Sequence, residues 1–132
     1  MAKTTFSGPV QSNGGFMTPI LPLAASTTLT SATVGGEYVI LASTDGGANA
    51  PITVTLPTVV GTAFNPDPAY NGIRGGLFNA DLAITHVVAA ASGQTINGAA
   101  SVSIPPGHTA EWIGNGNQNA AWLCRTAPLV IT

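Results

Sequence analysis

Apolar and polar residues in this chain alternate with a period of two wherever a period can be read. Ile52-Thr53-Val54-Thr55-Leu56 alternates strictly, which puts Ile52, Val54 and Leu56 on one face of a strand and both threonines on the other; Pro57 ends it. Ser101-Val102-Ser103-Ile104 repeats the pattern. Residues 27–30, 37–42, 83–88, 109–113, 121–124 and 129–131 are further β-prone segments, most of them set off by Gly, Pro, Asn or Asp. Residues 73–78, around Arg74-Gly75-Gly76, are expected to form a bulged strand. Asn97-Gly98, between Gln94-Thr95-Ile96 and residues 100–104, is the favoured pair for a tight type I′ hairpin turn. The connection over residues 58–72 contains Asn65-Pro66-Asp67-Pro68, which continues neither a helix nor a ladder and belongs on the surface.

Short strands recurring with turns between them, and no window with a helical period, predict an all-β fold. The expected form is a compact β-sandwich, jelly-roll-like or barrel domain over residues 25–132. Residues 1–24 read differently. Gly8, Pro9, Gly14, Gly15, Pro19 and Pro22 interrupt every periodic window there, so an extended N-terminal arm is expected. Its Phe6, Val10, Phe16 and Ile20 are too sparse to form a core and are read as anchors for a partner surface. The competing reading is a frayed terminus.

Composition narrows the function. Of 132 residues only 3 are Lys or Arg and 5 are Asp or Glu, where about a quarter of an ordinary domain is charged. Lys3, Arg74 and Arg125 cannot build a phosphate-neutralising surface, so no nucleic-acid partner is expected. So few charges also leave an isolated monomer short of polar surface, and some faces are expected to be subunit contacts. The 16 Gly and 10 Pro deny any long helix its interior. No apolar run reaches the roughly 18 residues of a membrane span, and no signal-peptide hydrophobic region is visible, so neither a membrane nor an export address is expected. The single cysteine, Cys124, excludes an intrachain disulfide.

The chemistry-bearing residues are few enough to take in turn. His108 and Glu111 lie three apart in a turn and strand start, without the shared helical face of a zinc-protease pair. His86 is expected mid-strand at a surface or subunit contact, and Cys124 as a small buried hydrophobe. Asp45, Asp67 and Asp81 sit beside turn formers, where carboxylates cap backbone N–H groups. The loop from Asn115 to Asn119 has no carboxylate for a hard cation. The glycine pairs match neither a phosphate loop nor a dinucleotide fingerprint. The expectation is a protein without catalytic residues, metal or cofactor.

From Ile52 to Trp122 the chain resembles a β-domain found in structural proteins of tailed bacteriophages: fibres, head fibres and capsid decoration proteins. The matching order is a strand ending in Leu56-Pro57, a glycine-led strand from Gly72 to Asn79, then Ile84-Thr85-His86-Val87. Gly93-Gln94-Thr95-Ile96-Asn97-Gly98 follows, then Ser101-Val102-Ser103-Ile104, a turn at Gly107, and Trp112-Ile113-Gly114-Asn115-Gly116 before Trp122. The opening Thr4-Thr5-Phe6-Ser7-Gly8-Pro9-Val10-Gln11-Ser12, with Gly15-Phe16, is similar to the N-termini of small phage virion proteins. Two departures are a longer connection over residues 58–70, and Asn97 where that turn commonly has Asp.

The resemblance implies a β-rich homotrimer mounted on a virion, without catalysis. The expected function is that of a bacteriophage capsid decoration (cement) protein, made in the host cytoplasm and bound to the major capsid protein on the outer surface of the shell, which it stabilises. The alternative is a head-fibre or tail-fibre receptor-binding module. Tyr70, Trp112 and Trp122, if exposed, would with Asn115, Asn117 and Asn119 then meet a host glycan or protein; the competing reading has the tryptophans buried in the β core.

Overall fold

The computed structural model of the chain describes residues 20–35, 39–42, 50–60, 68–115 and 121–128. These residues form nine strands and no helix: β1 (Ile20–Leu23), β2 (Thr27–Thr28), β3 (Val39–Ala42), β4 (Thr53–Thr55), β5 (Arg74–Asn79), β6 (His86–Ala89), β7 (Ser101–Ile104), β8 (His108–Gly114) and β9 (Trp122–Pro128). They make a two-layer β-sandwich, with one sheet in the order β1-β3-β5-β8-β9 and the other in the order β2-β4-β6-β7.

The connectivity is unusual for a sandwich. Through β6 the chain changes sheet after every strand, so β1, β3 and β5 pair in parallel in one sheet while β2, β4 and β6 pair in parallel in the other. Each turn of the chain therefore lays one strand on each layer, as in a flattened β-solenoid. The winding stops at β7, which pairs antiparallel with β6, while β8 adds antiparallel to β5 and β9 adds antiparallel to β8.

Strand alternation sets the core. Val54 and Leu56 have no exposure and Ile52 is 4% exposed, while Thr53 and Thr55 are only half-buried, so the face read from the sequence is the inward one. Val88 and Ile104 meet them from the same sheet; Leu77, Ala110, Trp112 and Trp122 close the core from the other, with Leu29, Val34, Val59 and Ile96 from connections. In β8 the buried positions are Ala110, Trp112 and Gly114, leaving Ile113 half-buried on the outer face.

Several expectations change. Ile20–Leu23, read as the end of the arm, is edge strand β1, held parallel to β3. Residues 1–19, with Phe6, Val10 and Phe16, and residues 129–131 lie outside the described residues, as do Asp45, Asp67, Asn117 and Asn119. β5 carries no bulge, since its residues pair one-to-one with β8 from Arg74↔Ile113 to Phe78↔Thr109. The glycines there serve close approach instead. A Cβ on Gly75 would stand 1.9 Å from the Val34 carbonyl oxygen and 2.5 Å from the Trp112 indole nitrogen. The Asn97-Gly98 turn is as expected, with φ of 53° and 83° and reciprocal bonds between Ile96 and Ala99. Its ladder is a single bridge, because β7 pairs with β6.

Candidate functional site

Two places gather the chemistry, one buried and one on the surface. The buried one spans both sheets. His86, on β6, is fully buried, and its Nδ1 accepts the Ile52 N–H at 3.1 Å. With Nδ1 occupied as an acceptor, the proton of the neutral ring sits on Nε2, which donates to Asp81 Oδ2 at 2.6 Å. Asn79, at the end of β5, donates from Nδ2 to the carbonyls of Ile84 and Ile104, each at 2.9 Å, and accepts the Asp81 N–H at 3.0 Å. The network ties β5 to β6 and β7 and to the residue before β4. It corrects one expectation: His86 is not at a surface but on the inward row of β6, where its imidazole meets the Asp81 carboxylate.

An Asp–His pair is also the arrangement that orients a general base. Here both partners are nearly inaccessible, at 0% and 5% exposure, and the far imidazole nitrogen is held by backbone, so no substrate can reach it. The pair acts as a brace. No buried side-chain nitrogen or oxygen among the described residues is left without a partner.

The two tryptophans are braces as well. Trp112 and Trp122 are 1% and 0% exposed, and their indole N–H groups donate to the Val34 and Pro57 carbonyls at 2.8 and 3.1 Å. This corrects the receptor-binding reading of these residues: both rings face inward, across the sandwich, and cannot meet a glycan. Tyr70 is half-buried with its ring edge-on to Trp122 at 5.8 Å, and Asn115 is half-buried with its N–H on the Ala121 carbonyl.

The segment Gly93 to Gly98 explains its own composition. Gln94 uses its side-chain amide as a strand edge would, accepting the Val59 N–H at 2.9 Å and donating to the Val59 carbonyl. Asn97 does the same to β9, accepting the Cys124 N–H at 2.9 Å and donating to its carbonyl at 2.6 Å. An Asp at 97 would lose the donor, which is why the amide suits this position. Cys124 lies on the inward row of β9, opposite Trp112, and burial pushes its thiol from 9.0 up to about 11. His108 is half-buried and donates from Nδ1 to the Pro106 carbonyl at 3.0 Å.

The surface place is the outer face of the five-stranded sheet. Register puts Arg74, Ile113 and Leu123 in one cross-strand row and Gly76, Glu111 and Arg125 in the next. Together with Asn97 they line a groove of about 700 Å³. Arg125 bonds Glu111 Oε2 through both Nε, at 2.7 Å, and Nη2, at 2.6 Å. With side chains 81% and 57% exposed, that pair adds little to stability. The sequence did not mark this face, because cross-strand neighbours are distant in the chain. Ile20, on β1 of the same sheet, is 64% exposed, while Leu21 and Leu23 pack on the core.

Among the described residues no group of three His, Cys, Asp or Glu stands close enough to hold a metal ion, and no helix is long and apolar enough to cross a membrane. Comparison with protein-family models, with curated proteins and with solved structures gives no match to this chain.

Proposed function

We propose that this protein is a non-enzymatic structural component of a bacteriophage virion, a decoration or cement subunit that binds the major capsid protein on the outside of the shell and stabilises it. The observation that carries the reading is the way the chain enters the fold. Ile20 stands exposed on β1, the outermost described strand of its sheet, and the apolar-spotted segment precedes it directly in the sequence, which suits an arm that adds to a neighbouring surface. Three further features support it. The resemblance points to virion proteins, the Asp81–His86 pair is given over to bracing the sandwich, and the scarcity of charge suits a subunit whose faces are covered. The same scarcity, with the resemblance, supports a homotrimer.

The reading is tested with shells that lack the protein. Full-length chain and chain lacking residues 2–19, which keeps β1, are incubated with shells and imaged by electron microscopy. Full-length protein is expected to stud the shell at regular positions, and the truncated form is expected to stay folded and unbound. Equal binding by both forms would move the contact onto the β-domain. No binding by either would remove the decoration role.

A further inference from the structure

The outer groove holds an imbalance that neither the fold nor the arm requires. The chain has only three basic residues, and both arginines lie in this groove. Arg125 is matched by Glu111 through two bonds to one oxygen. Arg74, exposed on the neighbouring row, forms no ion pair with any described residue. Its row companions are apolar: Ile113 is half-buried and Leu123 is 48% exposed. Beside them Gly75 and Gly76 present bare backbone, and each is held to glycine by a carbonyl oxygen, of Val34 at 1.9 Å and of Ala110 at 2.6 Å from the Cβ it lacks.

We propose that the groove across β5, β8 and β9 binds an extended acidic segment of a partner protein. Arg74 takes the carboxylate, and Ile113 and Leu123 take the apolar residues beside it. Charge complementarity selects the occupant. A planar guanidinium without an ion-pair partner among the described residues is matched best by a carboxylate, which it can grip through two parallel N–H donors. Nucleic acid is a poor fit, because a chain with three Lys and Arg in all cannot replace the counterions of a phosphate backbone. The volume lies in the range of ligand sites. Yet among the described residues the site is a sheet face with Leu123 half-exposed and Arg125 largely exposed, which suits a segment lying across the rows better than an enclosed small molecule.

The probe is the peptide acetyl-Thr-Val-Glu-Val-Thr-amide, titrated into full-length, 15N-labelled protein, with the glutamine counterpart as its partner probe. The glutamate peptide is expected to give saturable shifts at the Gly75, Gly76, Ile113 and Leu123 amides at low-millimolar peptide, and the glutamine peptide to bind about tenfold more weakly. Arg74→Gln should abolish the difference between the two peptides, and Arg74→Lys should restore part of it. Equal binding of both peptides to the unaltered protein, shifts confined to other surfaces, or no saturable shift up to about 5 mM would each overturn the proposal. The peptide pair needs no variant, so a folding defect cannot hide the answer. Because no shells are involved, the result is independent of the decoration role.

Discussion

Replacing His86 by leucine separates the polar brace from apolar packing. The substitution leaves the Ile52 N–H without an acceptor in the interior, which costs about 1–3 kcal/mol. It also strips the Asp81 carboxylate, 5% exposed, of the imidazole donor at 2.6 Å, and losing a hydrogen bond to a charged group costs about 1.5–3 kcal/mol. A leucine of similar bulk returns about 1.5–3 kcal/mol of apolar burial. The net expectation is a loss of about 1–3 kcal/mol, a measurable part of the roughly 5–15 kcal/mol that holds a typical domain. Asp81→Leu should cost a comparable amount. The double variant should lose about 1 kcal/mol less than the sum, since the bond between the two side chains is already lost in either single variant. Urea melts followed by the fluorescence of the two buried tryptophans, at fixed protomer concentration, give all three values. Single losses below about 0.5 kcal/mol, or additivity within about 0.5 kcal/mol, would refute the brace.

Val54→Ala and Ile104→Ala, both fully buried, should each cost about 1–4 kcal/mol in the same melts. Asn97→Asp should weaken the hold on β9 by about 1 kcal/mol, by losing the bond to the Cys124 carbonyl and facing it with a like partial charge, and hydrogen exchange of the Cys124 amide should report the loosened edge. With its pKa raised from 9.0 to about 11, the Cys124 thiol should alkylate roughly 100-fold more slowly at pH 8 than in urea-unfolded chain. The sign follows for stability too: this contribution is complete below pH 9.0 and fades as the pH rises toward 11, so alkaline melts should show the fold weakening over that window.

What the sequence determined is what neighbouring residues decide among themselves. The face assignment of Ile52, Val54 and Leu56 follows from the two-residue repeat of a strand, and Asn97-Gly98 follows from the positive φ that a tight turn demands. Ser101–Ile104 is a strand over the residues its alternation predicts. The β-sandwich was legible from the spacing of such segments. Strand partners were not, because alternation fixes which face a side chain takes and is silent on whether the next strand lies beside it or across the core. Only the tertiary structure winds β1 to β6 between two sheets, and that winding carries His86 and Asp81 under cover and turns both tryptophans inward. It also sets Arg74 one cross-strand row from Arg125, residues 51 positions apart in the chain. Burial and juxtaposition depend on which distant segment closes over a residue, and no local pattern encodes that.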